Sequence, residues 1–421
     1  MSLRLLRYAV FLLRYAVFAI AMLCVAIGVR AAESVKLAVI TPLSGPFALQ
    51  GEDAVRQFRG IADLINARGG VIDGRPLEIV PLDGKATPQD SLFALKQAID
   101  QHVAFVVTHI SSVAHTLADA IVKQNERNPE QRLLLLTFDA RDPALTEEKC
   151  NFWHFRFIYH TNSDVNFLTD YLARQPNARK IYLLNQDYAY GQSVSRAARE
   201  MLTRKRSDIQ IVGDDLVPLG KVKDFAPYIA KIRAAEADGI ITGNWGSDLS
   251  LLVKAAHEAG LKARFYTFVA YSVGVASAIG SAGVDRVWGV FPWLANARPN
   301  PYEKYNAEFK AKYKSPTNFD YAPIYRIGEM LTAAIGKAKS TDPLKVANAL
   351  EGLHYNGAGG EAWIRADDHQ VIAPLYLASF VKAGGPGVKF DVEDTGYGWK
   401  PEGKVEAKDA VPEMKCNMKR P

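Results

Sequence analysis

Two successive series of strand and helix constrain this chain more than any other feature. Val35–Ile40, Leu77–Leu82, Ala104–Thr108 and Leu133–Thr137 read as strands, and Lys180–Asn185, Ile209–Leu216, Gly239–Thr242 and Arg264–Val269 form a second series. Apolar runs of this kind suit a parallel sheet with helices covering both faces. The intervening segments carry helical spacing, with helices expected from about Val113 to Asn125, Gln192 to Lys205, Phe225 to Ala234 and Leu249 to Ala259. Ala54, Phe58, Ile61, Leu64 and Ile65 share one face, and Gly69-Gly70 ends that helix. Thr87, Pro88 and Asp90 make a helix start, with Thr as cap and Pro in the first turn. Running the alternation twice predicts an α/β protein of two doubly wound, parallel-sheet lobes. Cys150–Asp164 is aromatic, has no helical period and is the expected crossing between lobes. Long helices are expected from about Tyr321 to Ala338 and from Pro343 to Leu353, and the Gly/Pro/Lys-rich stretch from Gly384 onward is expected to wrap the surface.

Arg4, Arg7 and Arg14 precede an apolar run from Tyr15 to Val29, which ends in Val29-Arg30-Ala31. This pattern predicts a secretory signal over residues 1–31, cleaved after Ala31. The alternative is an uncleaved anchor, for which the run is shorter than the ~20 residues a span needs. The formal net charge of +6 falls to +2 once the four leader arginines are set aside, which gives no electrostatic case for nucleic acid. Ala32 to Pro421 is too long for most single cores and predicts two domains. The two cysteines outside the leader, Cys150 and Cys416, read as one disulfide in an oxidising compartment or as two free thiols.

Motifs of catalysis are missing: no G-x-S-x-G, phosphate loop, H-E-x-x-H or C-x-x-C occurs. The cluster from Gly357 to Glu361 reads as a loop rather than a dinucleotide site. His102, His109, His115 and His154 sit on separate elements and read as surface or internally satisfied side chains, not as metal ligands. In open parallel sheets, ligands sit beyond the carboxyl ends of the strands. Those loops hold Phe47, Ser111, Ser112, Asp139, Ala140 and Arg141 in the first half, and Tyr188, Tyr190, Trp245 and Tyr271 in the second. Ser111 and Ser112 precede a helix and suit a carboxylate, or serve as plain caps. The aromatics can close on a ligand or pack between lobes. Asp139 and Arg141 face the cleft, or form a local salt bridge.

With these pieces in place the chain resembles the periplasmic solute-binding proteins of branched-chain amino acid type ABC transporters. The resemblance rests on Ala38-Val39-Ile40-Thr41-Pro42-Leu43-Ser44-Gly45, Ile65-Asn66-Ala67-Arg68-Gly69-Gly70-Val71, Asp119, Pro143-Ala144-Leu145-Thr146, Tyr190-Gly191 and Ala255 to Leu261. Cys150 to Arg156 resembles a proteobacterial subgroup. The resemblance implies two lobes joined by a three-strand hinge: residues 32–155 plus 290–360, and residues 156–289 plus 361–421. It implies a monomeric periplasmic capture protein, not an enzyme, without cofactor or metal. Closure over a small amino acid or carboxylic acid would precede delivery to permease subunits in the inner membrane. A sensor docking on a membrane receptor is the alternative. Ser112 matches the serine that holds the ligand carboxylate, Asp139 and Arg141 fall on the loop contacting carboxylate and amine, and Tyr190 and Trp245 match aromatic positions covering the ligand. Phe47 is expected at the mouth. The family's acid for the ligand ammonium is missing near Val269, which leaves an acid paired by Arg141 and Ser112, or an amine held by Asp139.

Overall fold

The structure, a computed structural model, describes residues 33–298, 303–314, 322–357 and 360–421. The expected signal peptide lies outside the described residues. The first series is β1 (Val35–Thr41), α1 (Ala48–Ala67), β2 (Leu77–Asp83), α2 (Pro88–Asp100), β3 (Phe105–Thr108), α3 (Ser111–Arg127), β4 (Leu134–Thr137) and β5 (His154–Arg156). Its strands form one parallel sheet in the order β2-β1-β3-β4-β5. Leu37, Ala38, Val39 and Ile40 are fully buried, as a strand covered on both faces requires. Thr87 caps α2 by accepting the Asp90 N–H at 3.1 Å, and its hydroxyl donates to the Asp90 carboxylate at 2.7 Å.

The second series is α4 (Thr161–Leu172), β6 (Lys180–Gln186), α5 (Ala189–Lys205), β7 (Gln210–Val217), α6 (Ala226–Ala234), β8 (Gly239–Thr242), α7 (Gly246–Glu258), β9 (Arg264–Thr267), α8 (Val275–Gly283) and β10 (Val287–Phe291). The chain then forms α9 (Glu303–Tyr313), α10 (Ala322–Ala338) and α11 (Pro343–Leu350), with α10 packed on α1 of the first series. β11 (His354–Gly357), β12 (Gly360–Ile364) and β13 (Val371–Ile372) make a small antiparallel sheet. β14 (Leu375–Lys382) and β15 (Tyr397–Val405) complete the second large sheet, ordered β15-β14-β10-β9-β8-β6-β7. Between the large sheets, Arg156 bridges Gln370 in parallel, and the Gln370 amide donates to the Ile158 carbonyl at 2.9 Å. Two of the crossing segments therefore run side by side and are tied by hydrogen bonds.

Three expectations need correction. The stretch after Gly384 does more than wrap the surface: Tyr397–Val405 is an edge strand, antiparallel to β14, with Trp399 only 5% exposed. Pro401 hid it, yet an edge strand tolerates a proline, here next to the register shift at Leu377/Ala378. The second sheet is accordingly parallel only up to β10, since β14 and β15 add antiparallel edge strands. The described part of the glycine cluster also belongs to strands, because Gly357 ends β11 and Gly360 and Glu361 begin β12.

Cys150 and Cys416 are bonded across a sequence separation of 266. The tail leaves β15 in the second sheet and is fastened to the segment following β4. Arg420 strengthens that attachment through Glu351 (2.5 Å) and the Ala366 carbonyl (3.1 Å). Cross-linking so long a loop removes much freedom from the unfolded chain. Cys416→Ser is therefore expected to lower unfolding stability by about 2–4 kcal/mol. Denaturant titration of the variant against the oxidised parent checks this; equal midpoints would contradict it.

Candidate functional site

The carboxyl ends of both large sheets meet at a closed cleft. Its cavity of about 20 Å³ is lined by Gln50, His109, Ile110, Asp139, Tyr188, Tyr190, Trp245, Val269 and Ser272. That volume holds about one water molecule, so a ligand enters only when the lobes part. Residues from both series close the rim. Phe47 packs on Trp245 at a tilt of 30° with ring centroids 4.0 Å apart, and the Gln50 amide donates to the Val273 carbonyl at 3.0 Å. Phe47, expected at the mouth, is thus a wedge between the lobes and only 2% exposed.

Three helices aim their first turns at this cavity. The residues preceding α3, α5 and α7 are Ile110, Tyr188 and Trp245; all three line the wall, and none makes a capping side-chain bond. Helix N-termini carry unpaired N–H groups and the positive end of the macrodipole, so they favour an anion. Ser111 and Ser112 fall in the first turn of α3. Ser111 is buried and its hydroxyl accepts the N–H groups of Arg141 (3.0 Å) and Asp142 (3.2 Å), so it fixes the 139–142 loop. The Ser112 hydroxyl makes no hydrogen bond among the described residues.

The charged residue of the wall is Asp139, with a side chain 7% exposed. Its Oδ1 accepts Arg141 Nε (2.7 Å) and the Tyr271 hydroxyl (3.1 Å). Its Oδ2 makes no hydrogen bond among the described residues. Burial pushes the Asp139 carboxyl up, against the pull of Arg141. Arg141 does not reach the cavity wall. Its Nε serves Asp139, Nη1 serves Asp164 on α4, and Nη2 serves the Tyr271 hydroxyl at 2.6 Å. The guanidinium expected to hold a ligand carboxylate is already held by two protein carboxylates. Ala140 is also off the wall, packed with Ala114 and Leu145. Tyr271 is a strut between Arg141 and Asp139 rather than a wall residue, and Val269 and Ser272 represent its loop at the cavity.

Tyr190 and Trp245 do reach the wall. Trp245 Nε1 donates to the Tyr188 hydroxyl at 3.0 Å, while the Tyr190 hydroxyl is buried without a partner. Gln50 Oε1 and His109 Nε2 are also buried and unpartnered. His109 departs from the expectation of a satisfied histidine. Nδ1 lies 3.2 Å from Thr41 Oγ1, burial brings the pKa down to about 4, and Nε2 stays unused at the wall. The imidazole is therefore neutral near pH 7. His115, His154 and His102 have partners, namely Asp142, Thr137 and Gln131. Gln50, His109 and Asp164 were not among the residues expected at the site. The position of His109 directly after β3 was the available signal.

Taken together, the wall offers a carboxylate on one side and uncapped helix ends on the other, with unused polar atoms and an aromatic flank between them. Buried polar groups without partners cost ~1–3 kcal/mol each, and a polar guest with both donors and acceptors would relieve that cost.

The sequence profile described as periplasmic binding protein matches residues 34–386. A Brucella abortus protein named Leu/Ile/Val-binding protein homolog 4 is 31% identical over 411 residues, covering 93% of this chain and 94% of its own. Among solved structures, the Brucella ovis leucine-, isoleucine-, valine-, threonine- and alanine-binding protein in its closed conformation has a TM-score of 0.80 at 26% identity, covering 93% of this chain and 100% of its own. A Rhodopseudomonas palustris ABC transporter solute-binding protein, solved with 3,4-dihydroxybenzoic acid, has a TM-score of 0.75 at 17% identity, covering 89% and 98%; at that identity the likeness is one of fold.

Proposed function

We propose, given that the chain belongs to the periplasmic binding protein family, that it captures a zwitterionic amino acid between its lobes and delivers it to an ABC permease. The observation that carries this reading is the charge pattern of the cavity wall. Asp139 is its charged side chain, and Arg141 is consumed by Asp139 and Asp164. A ligand ammonium fits against Asp139, and a ligand carboxylate fits the first turns of α3, α5 and α7, with Ser112 beside it. A plain carboxylic acid would place a second anion near Asp139 without a free cation, which a dry, closed site disfavours. The names of the Brucella relatives, a Leu/Ile/Val-binding protein homolog and a leucine-, isoleucine-, valine-, threonine- and alanine-binding protein, support the same class. The dihydroxybenzoate of the R. palustris protein belongs to a chain alike in fold alone.

In this reading the leader exports the chain to the periplasm, where it works as a monomer and catalyses nothing. The ligand docks on the open first lobe at Asp139 and the α3 turn. It then favours closure by the contacts it adds to Tyr190 and Trp245, since only differential affinity shifts such an equilibrium. A thermal-shift screen of residues 32–421 against the protein amino acids and a set of benzoic acids tests the class. One or more amino acids should raise the melting temperature while the benzoic acids do not, because a ligand at 100 times its Kd adds about 2.7 kcal/mol. Stabilisation by benzoic acids alone would overturn the reading.

A further inference from the structure

We propose that Asp164 is a specificity-determining positioning residue, which neutralises Arg141 from α4 and thereby leaves the Asp139 carboxylate charged for a ligand ammonium. This rests on the amino acid reading above. Without Asp164, Arg141 and Asp139 would form a closed neutral pair, and the wall would present no net charge to a cation. With Asp164, one guanidinium is shared between two buried carboxylates. Asp164 is 1% exposed and its Oδ1 has no partner; Asp139 keeps Oδ2 unbonded at the wall. The surplus negative charge is expressed where the cavity is, because Asp164 does not line it.

The groups facing this pair limit the alternatives. Arg156, the second buried cation nearby, donates to neutral oxygens: Gln370 Oε1 (2.7 Å), the Asp142 carbonyl (2.6 Å) and the Thr146 hydroxyl. Tyr271 bridges Arg141 and Asp139, and the Tyr190 hydroxyl faces the cluster without a partner. In the unliganded closed state the surplus charge is met by a proton only as the pH falls through the raised pKa. Burial raises both carboxyls, Asp164 to about 6, against the opposing pull of Arg141. A ligand ammonium and that proton compete for one place. The sign follows directly. Affinity is full above the raised pKa and is lost as pH falls through it, about tenfold per pH unit for one competing proton.

The test uses an equimolar mixture of the twenty protein amino acids as probe. Ligand-induced shifts in melting temperature are measured at pH 5.0 and pH 7.5 for the parent, Asp164→Asn and Asp164→Glu. The parent should show a shift at pH 7.5 that largely disappears at pH 5.0. Asp164→Asn should bind at least tenfold more weakly at pH 7.5, with a flat pH profile, and Asp164→Glu should restore both affinity and slope. A merely structural role would lower the unliganded melting temperature without flattening the profile. Parent-like affinity and slope in Asp164→Asn would overturn the proposal and leave the amino acid reading standing. No response of the parent at either pH would overturn both.

Discussion

Asp139→Asn is expected to weaken amino acid binding by about 3 kcal/mol, roughly a hundredfold. Asparagine keeps the shape and the Oδ1 acceptor for Arg141 and Tyr271, so the loop should stay folded. What it loses is the negative charge of the cavity wall. A ligand ammonium would then be buried against a neutral amide, in a site whose histidine is neutral and whose guanidinium is committed to Asp164. Isothermal titration of the variant beside circular dichroism checks this. An intact fold with a Kd within threefold of the parent would show that Asp139 does not hold the ligand.

Gly191→Ala should damage both stability and binding. A methyl group at this position would lie 1.9 Å from the Gln186 carbonyl oxygen, which belongs to the backbone and has nowhere to retreat. The first turn of α5 is pressed against the end of β6, and the short connection and that turn carry Tyr188 and Tyr190 to the cavity. The same device appears in the first lobe, where a methyl on Gly51 would lie 1.7 Å from the Pro42 carbonyl oxygen. Relieving the clash must push α5 away from β6, at a cost of about 1–3 kcal/mol. The displaced tyrosines should also weaken binding. Gly336→Ala is the matched control, since a methyl there meets nothing within 4 Å and α10 gains helix propensity. Thermal unfolding should lower the melting temperature of Gly191→Ala by several degrees and hold or raise that of Gly336→Ala. Equal melting temperatures for the two would contradict the packing argument.

The eight strands of the two alternating series were legible because burial on both faces leaves continuous apolar runs, as in Val35–Thr41, whereas β5, β10 and β14 were not read. The cap at Thr87 placed α2 well, whereas α4, capped by His160, was missed because its first turn lies inside the aromatic stretch expected to be a crossing. The starts of α3, α5 and α7 were read two to three residues late, at Val113, Gln192 and Leu249 instead of Ser111, Ala189 and Gly246. Their preceding residues, Ile110, Tyr188 and Trp245, carry no capping group. The missing signal has a physical origin, because those helix ends face the cavity. What blurred the boundaries also marks the site. Asp164 was illegible for another reason. Its partner Arg141 is 23 positions away on another element, a pairing that only the packed lobes create. The role expected of Arg141 changed with it, from holding a ligand to being held.

The central claim is that the ligand is recognised by its amine as well as its carboxylate. Calorimetric titration with matched pairs tests this most directly: L-leucine against 4-methylpentanoate, L-phenylalanine against 3-phenylpropionate, and likewise for any amino acid that raises the melting temperature. Binding of the amino acid, with its deaminated partner weaker by a hundredfold or more, is the predicted result. Equal or tighter binding of the deaminated acid would contradict it.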